Sequence, residues 1–189
     1  VSQRPTSAYI HIPFCTQICY YCDFAKVYIK NQPVDYYITA LLAEFHAAKI
    51  SVLKTIYIGG GTPTALSALQ LDRLLSGITQ HLDLTALQEF TVEANPGDLS
   101  DDKIAVLKAH QVNRVSLGVQ TFNDKLLKKI GRSHTAQDVF DNIGKLRQAG
   151  FENITIDLIY ALPTQTLADV KKDVATLLTL DLPHVALYS

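Results

Sequence analysis

The amino-acid sequence predicts an α/β fold in which parallel β-strands alternate with helices on the outside. Short runs rich in β-branched and aromatic residues recur along the chain, and segments with apolar residues at helical spacing lie between them. Unusual polar residues follow the strand ends. Six strands are predicted, at residues 8–12, 55–58, 90–94, 114–119, 154–159 and 185–188. This alternation is typical of a parallel sheet with right-handed crossovers, either doubly wound or curled into a barrel.

The segments between the strands carry the start and stop signals of helices. Ser67 followed by Gln70 has the pattern of a capping box, in which the two residues satisfy free amides at the helix start. Ser100 precedes two aspartates, which the helix dipole favours in a first turn. Gly150 ends the apolar periodicity of residues 139–146, because glycine tolerates the left-handed conformation found after a helix.

Polar residues cluster where the predicted strands end. Pro13, Pro63, Pro96 and Pro163 each follow a strand and mark turns that leave the sheet on one side. The carboxyl ends of parallel strands are where α/β folds place their active sites. The polar groups near these ends are the cysteines of residues 15–22, the Gly59-Gly60-Gly61-Thr62 turn, Glu93, Gln120 and Asp157. Strands that direct polar groups to one rim favour a barrel-like cup.

Composition excludes several classes of partner. Of the 189 residues, 48% are apolar, enough for one domain with a sizeable core, which we assign to residues 1–189. Seventeen Lys and Arg residues nearly balance eighteen Asp and Glu residues and form no basic run, so nucleic acid is not an expected partner. No apolar run is long enough for a transmembrane segment, and the start lacks the features of a signal peptide. We therefore expect a cytoplasmic protein.

The chain has the features of a fragment. It contains no methionine, even at its first position, and Ser189 carries no recognisable end signal. We therefore expect the carboxyl-terminal part of the full protein, with any second domain, to be missing here.

Three cysteines, Cys15, Cys19 and Cys22, fall within eight residues. An odd and crowded set is not a disulfide framework, and crowded thiols in a reducing compartment are typical of metal or cluster ligands. Three thiolates around a four-iron cluster leave one iron open to the amino and carboxylate groups of a small molecule. The alternative is a structural zinc site, which needs a fourth ligand. His11 is the candidate, although its position in the first strand makes that geometry awkward.

The CxxxCxxC motif after the first strand, followed by a GGGTP turn after the second, resembles the radical S-adenosylmethionine (SAM) superfamily. Further segments are similar to the oxygen-independent coproporphyrinogen III oxidase family and its heme-chaperone branch, and the resemblance runs from Tyr9 to the last residue. These segments are YIHIPF at 9–14, TVEANP at 91–96, SLGVQTF at 116–122, GRSH at 131–134 and IDLIYALP at 156–163. The resemblance implies a partial (βα)6 radical SAM barrel with parallel strands and outer helices, truncated at its carboxyl terminus.

The resemblance also implies the cofactors and their binding residues. Cys15, Cys19 and Cys22 match the ligands of a [4Fe–4S] cluster. The positions that match contacts of SAM are Tyr9, Tyr21, Gly60, Gly61, Thr62, Glu93, Gln120, Arg132 and Asp157. His11 and His134 are interpreted as packing or supporting residues.

The residue types at these positions suit the parts of SAM. Glu93 can accept hydrogen bonds from the ammonium group, and Arg132 can pair with the carboxylate. Asp157 suits the ribose hydroxyls, as acids do in nucleotide sites. The glycines let backbone groups approach the methionine moiety closely. Gln120 can add an amide contact.

Two departures from the family pattern bear on function. The oxidase proper has a further cysteine two positions after the third ligand, whereas this chain has Phe24 there. The difference favours the heme-chaperone branch, which binds heme and delivers it to a hemoprotein. The segment from Ala161 to Thr164 also lacks glycines that the family commonly has.

The alternative function is oxidative decarboxylation of coproporphyrinogen III to protoporphyrinogen IX through a 5′-deoxyadenosyl radical. Either function implies heme or a porphyrinogen as the bound molecule, and a flavodoxin- or ferredoxin-type electron donor and a recipient hemoprotein are candidate partners. A third hypothesis is a radical enzyme that acts on another substrate, because fold alone does not fix function.

Overall fold

A computed structural model describes residues 5–80 and 82–189 and contains the six-stranded parallel sheet that the sequence predicts. In chain order the strands are β1 (Ser7–Ile12), β2 (Phe14–Cys15), β3 (Val27–Tyr28), β4 (Thr55–Gly60), β5 (Glu89–Ala94), β6 (Arg114–Gln120), β7 (Asn153–Ile159) and β8 (His184–Tyr188). The large sheet has the order β1-β4-β5-β6-β7-β8, so β1 and β8 are its edges, while β2 and β3 form a separate short ladder. The ends of the predicted strands are correct to within two residues.

Helices connect the successive strands of the large sheet. They are α1 (Val34–Ala47), α2 (Ala68–Thr79), α3 (Asp101–Ala109), α4 (Asp124–Lys129), α5 (Ala136–Gln148) and α6 (Leu167–Thr179). The predicted capping box of Ser67 and Gln70 starts α2, and Gly150 takes a φ of +81° just after α5, so both predictions are confirmed. Ser100 precedes α3 as predicted, although its hydroxyl bonds to the Asp102 carboxylate instead of capping a backbone amide. No helix in the described ranges combines the length and apolar composition that a bilayer crossing requires.

Side chains alternate between the two faces of the sheet, as the pleat dictates, up to the register shift near the end of β6. One face is apolar and forms a single core cluster with residues of α1, α2, α3 and α5. Its central members are Ile56, Ile58, Phe90, Val92, Val115, Leu117, Ile154 and Ile156. The residues between them face the other way and include Tyr57, Glu93, Ser116 and Asp157. Helices on one face and polar groups on the other make a partial barrel whose interior is polar.

The loop after β7 contains two residues in a conformation that favours glycine. Ala161 has a φ of +61° and Thr164 a φ of +68°. The left-handed region brings Cβ too close to the following carbonyl oxygen, and a β-branched residue there is a genuine outlier. These are the positions where the sequence departs from the family glycines, so the backbone path keeps a glycine-like shape without glycine.

We expect Ala161→Gly and Thr164→Gly each to raise the free energy of unfolding by about 0.5–1 kcal/mol, because relief of this strain outweighs the added entropy of the unfolded chain. Urea denaturation measures the change. Ala105→Gly is the matched control, since Ala105 is exposed within α3 and its loss should lower stability by about 1 kcal/mol. Glycine should therefore raise the free energy of unfolding in the loop after β7 and lower it in α3. Equal losses of stability at the two places would contradict the presence of backbone strain in the loop.

Candidate functional site

A cavity of about 450 Å³ opens at the carboxyl ends of the strands. All of the predicted site residues except Tyr9 line it: Cys15, Cys19, Cys22, Tyr21, Gly60, Gly61, Thr62, Glu93, Gln120, Arg132 and Asp157. They come from the loop after β1, from the ends of β4, β5, β6 and β7, and from the segment after α4. The chain therefore brings the residues of the family motifs to one rim.

The cysteine loop is tied down at several points. The Val27 amide donates to the Pro13 carbonyl at 2.7 Å, which closes the loop beside the short β2–β3 ladder. Directly after Cys15, the Thr16 hydroxyl bonds to both carboxylate oxygens of Asp98 at 2.9 Å. The Tyr20 amide donates to the Ile130 carbonyl at 3.1 Å, at the end of α4. These bonds fix the path along which the cysteines are presented.

The donor set fits an iron–sulfur cluster. None of the three cysteines is in a disulfide, and all of them line the same cavity. Burial raises the pKa of the Cys15 thiol, against the lowering effect of the Thr62 hydroxyl, and nearby Cys22 and Cys19 raise it further. In the described ranges, no three His, Cys, Asp or Glu side chains are grouped to hold a single metal ion. A four-iron cluster does not require the three sulfurs to meet at one ion, because each cysteine binds a different iron.

His11 is occupied elsewhere and does not complete a zinc site. Its Nε2 lies 2.8 Å from the Ala25 carbonyl oxygen, so it donates there, and its Nδ1 lies 3.2 Å from the Tyr9 hydroxyl. Both ring nitrogens therefore have partners within the protein. This arrangement agrees with the supporting role expected for His11.

The glycine turn after β4 is required by the protein's own packing. Gly60 has a φ of +121°, and a Cβ atom there would lie 2.6 Å from the His11 ring. A Cβ atom on Gly61 would lie 2.8 Å from the Phe14 carbonyl oxygen and 3.0 Å from the Cys15 sulfur. The cysteine loop therefore lies directly against Gly61, where a side chain would push it away, whereas a side chain on Gly60 would push against the His11 ring of β1.

Two carboxylates share the polar interior. Glu93 accepts from the Tyr57 hydroxyl at 2.7 Å and from the Gly60 amide at 3.1 Å, yet burial still raises its pKa. Burial, and then repulsion from Glu93, raise the pKa of Asp157 to about 6, against the effects of Arg114, a Ser116 hydrogen bond and Arg132. A bound cation would relieve this repulsion. SAM carries two positive groups, an ammonium and a sulfonium, which suit such a site.

Arg132 provides the opposite charge at the cavity wall. One terminal nitrogen donates to the Asn95 side-chain oxygen at 2.7 Å and to the Gly118 carbonyl, and the other contacts the Cys19 sulfur at 3.6 Å. None of the ion pairs found among the described residues includes Arg132. The guanidinium therefore keeps its positive charge available for a carboxylate.

Gln120 occupies a strained position beside the cavity. It has a φ of +71°, is only 7% exposed, and lies at a register shift between β6 and β7. Strain of this kind is concentrated at functional sites, where the surrounding structure holds it in place. Asp173 of α6 accepts from the Thr121 hydroxyl at 2.7 Å and from the Phe122 amide at 2.8 Å, which anchors the chain just after Gln120.

The two predicted tyrosines differ in position. Tyr21 lies in the cavity wall, where burial raises its pKa. Tyr9 lies in edge strand β1, is 61% exposed, and stacks on Tyr57 with ring centroids 6.0 Å apart. It is outside the cavity lining, so its contact with SAM stays a prediction.

Buried His134 donates to the Val119 carbonyl at 3.2 Å, and burial beside Arg132 lowers its pKa to about 4, which keeps it neutral.

The residues of this site that sequence reasoning missed include Tyr57, Asn95 and Ser116. Tyr57 and Ser116 lie on the inner face, and Ser116 pairs in register with Glu93. Their position in the strand alternation was the available signal. Asn95 lies within the TVEANP segment, but no chemical role had been attached to it.

The family to which this fold and site belong is defined by comparison with known proteins. The model of the radical SAM superfamily matches residues 9–177, and the chain belongs to that superfamily. Its members bind a [4Fe–4S] cluster and SAM, and the reduced cluster supplies the electron that cleaves bound SAM. The three free thiols and the cavity beside them fit both groups.

Two curated relatives and one solved structure narrow the match. The chain is 65% identical over 187 residues to the heme chaperone HemW of Lactococcus lactis subsp. lactis (strain IL1403), covering 99% of this chain and 49% of that protein. It is 53% identical over 188 residues to the heme chaperone HemW of Bacillus subtilis (strain 168), covering 97% and 50%. The structure of coproporphyrinogen III oxidase (HemN) from Escherichia coli, a radical SAM enzyme, matches with a TM-score of 0.90 and 30% identity, over 98% of this chain and 44% of that one.

The predicted family and the partial barrel are therefore confirmed. The chain spans about half the length of the curated relatives it matches.

Proposed function

We propose that this chain is the cluster- and SAM-binding part of a cytoplasmic heme chaperone, which binds heme and delivers it to a hemoprotein. The observation that carries the proposal is Phe24, two positions after Cys22. The residue is 72% exposed and lines the same cavity as the three cysteines. A phenyl ring can neither bind iron nor donate a thiol hydrogen, so the chain lacks the extra sulfur of the oxidase pattern.

The similarity of the chain supports the same choice. The two curated relatives described above, at 65% and 53% identity, are both named heme chaperones. The oxidase remains the second candidate because its solved structure matches the fold with a TM-score of 0.90. The fold is common to both functions, and Phe24 is the local difference between them.

A flat apolar ligand suits the surroundings of the cavity. Phe24, Tyr160 and Tyr188 all line it, with exposed fractions of 72%, 48% and 56%. Aromatic rings provide large apolar surfaces on which a porphyrin plane can stack. This feature supports a flat tetrapyrrole such as heme as the ligand.

Within the domain, we assign the predicted contacts as follows. Cys15, Cys19 and Cys22 hold the cluster, Arg132 pairs with the SAM carboxylate and Glu93 with its ammonium. The remaining contacts to SAM are assigned to Tyr9, Tyr21, Gly60, Gly61, Thr62, Gln120 and Asp157. The arrangement of charge supports this orientation, since Arg132 and the two acids lie on the wall of the same cavity. A flavodoxin- or ferredoxin-type protein is the expected source of electrons for the cluster.

The test uses the full-length protein, reconstituted without oxygen. Titration with heme should shift the Soret band and saturate near one heme per chain, and labelled heme should pass to an apo-hemoprotein. Incubation with coproporphyrinogen III, SAM and reductant should leave the substrate unchanged. Phe24→Cys is the matched variant: it adds the sulfur of the oxidase pattern and removes one of the three aromatic side chains named above in the cavity lining, so we expect it to bind heme more weakly. Formation of protoporphyrinogen IX at enzymatic rates by the unaltered protein, or failure to bind heme, would reject the proposal.

A further inference from the structure

A chain of polar contacts joins two of the cysteines through residues from three different elements. The Cys15 sulfur lies 3.8 Å from the Thr62 hydroxyl, which accepts from the Asn95 side-chain amide at 3.0 Å. The Asn95 oxygen accepts from Arg132 at 2.7 Å, and Arg132 contacts the Cys19 sulfur at 3.6 Å. Asn95, just after β5, is the central member of this chain of contacts.

The surrounding bonds determine which way the Asn95 amide points. The Thr62 hydroxyl can donate its single hydrogen to the Gly61 carbonyl at 2.8 Å or to the Cys15 sulfur at 3.8 Å, which leaves its oxygen to accept from Asn95. Arg132 can only donate. The amide nitrogen of Asn95 must therefore face Thr62 and its oxygen must face Arg132. An amide satisfies both neighbours at once, whereas a carboxylate has no hydrogen for Thr62 and a hydrophobic residue satisfies neither.

Two of the three acceptors that hold Arg132 in the cavity wall are neutral. They are the Asn95 side-chain oxygen and the Gly118 carbonyl, and the third acceptor is the Cys19 sulfur at 3.6 Å. A neutral acceptor orients a guanidinium without neutralising its charge, whereas a carboxylate would form an ion pair that an incoming anion must displace. The use of an amide here therefore matters for any ligand that brings a carboxylate to Arg132.

We propose that Asn95 is a positioning residue for SAM, which turns Arg132 toward the cavity without forming an ion pair with it, so that the positive charge stays available for the SAM carboxylate. This inference rests on the assignment of Arg132 to that carboxylate, and it does not depend on the heme role. Asn95 also links Arg132 to the Thr62 turn, against which the cysteine loop lies. A single side chain thus couples the orientation of the cofactor-binding cation to the turn that supports the cluster.

The test compares Asn95→Asp, Asn95→Ala and Arg132→Ala in the full-length reconstituted protein. Equilibrium binding of SAM gives Kd, and iron and sulfide analysis with the electron paramagnetic resonance spectrum of the reduced cluster gives its integrity. Asn153→Asp is the matched control, since it adds the same charge at an exposed position at the amino end of β7, on the opposite rim. It should leave Kd unchanged.

We expect Arg132→Ala and Asn95→Asp each to raise the Kd for SAM by at least about tenfold, the size of one charge-assisted hydrogen bond, with iron content retained. Asn95→Ala should raise it by less, because the charge of Arg132 stays free. If Asn95 had only a structural role, both Asn95 variants would show a lower iron content or melting temperature. The Kd of the cluster-loaded protein for SAM would then be unchanged. That result overturns the proposal. An unchanged Kd for SAM in Arg132→Ala also overturns the proposal, because Arg132 would then not bind the SAM carboxylate. The proposal of a heme chaperone is unaffected by that result.

Discussion

Cys19→Ala is expected to abolish the iron-dependent visible absorbance of the reconstituted protein. Only two protein thiolates would remain for a cluster that depends on three, and Arg132 would lose its sulfur contact. The fold should survive, because Cys19 lies on a partly exposed loop that Thr16 and Val27 hold by their own hydrogen bonds. Iron and sulfide analysis measures the loss, and circular dichroism checks that the protein is still folded.

Thr16→Ala is the matched control for this experiment. It lies in the same loop and loses the hydrogen bonds to Asp98, but it removes no sulfur ligand. We expect it to cost about 1 kcal/mol of stability and to keep the cluster absorbance. If Cys19→Ala retained its iron and its absorbance, Cys19 would not be a ligand and the assignment of the site would be wrong.

The strand positions and the inner face of the barrel follow from local rules that the sequence obeys. A two-residue alternation of apolar and polar residues runs through β5, β6 and β7, so it predicts that Glu93 and Asp157 point away from the core. Parallel pairing then brings the strand ends to one rim. The site residues at these ends could be predicted because each follows directly from strand alternation and strand order.

Other parts of the site depend on tertiary contacts that no local pattern encodes. Asn95 acquires its role only because Arg132, 37 positions later in the chain, reaches it from the end of α4. Tyr9 is the opposite case, because its motif could be recognised from the sequence but its position relative to the cavity could not. It shares the inner face with the site residues, but it pairs with Tyr57 in the register of β1 and β4, below the glycine turn and at the sheet edge. Residue type and motif order did not reveal that Tyr9 lies outside the cavity lining.

The left-handed residues of the loop after β7 were also not predictable. Ala161 and Thr164 are ordinary residues in a conformation that usually signals glycine. Only the contacts of the surrounding chain impose that conformation, as with the Thr164 hydroxyl that accepts from Lys129 at 2.9 Å. The family pattern showed that glycines were absent, and the structure shows that both replacements still take the left-handed conformation.

Asp157→Asn is expected to stabilise the protein at neutral pH while it weakens the binding of SAM. Burial and the neighbouring Glu93 raise the pKa of Asp157 from 3.8 to about 6. Between these two pH values the folded protein holds a proton that the unfolded chain releases. The contribution of this group to stability is therefore complete below about pH 4 and is lost as the pH rises through 6. At pH 7 the ionised group costs at most about 3 kcal/mol.

The asparagine variant should therefore unfold with a free energy about 1–3 kcal/mol higher at pH 7 than the unaltered protein, and its stability should vary less between pH 4 and 6. Urea denaturation across this range measures both effects, with Glu152→Gln, an exposed carboxylate before β7, as the control. A variant that is less stable at pH 7, or that keeps the original pH dependence, would contradict the argument. A gain in stability together with a higher Kd for SAM would mean that the charge of Asp157 is kept for binding, at the expense of the fold.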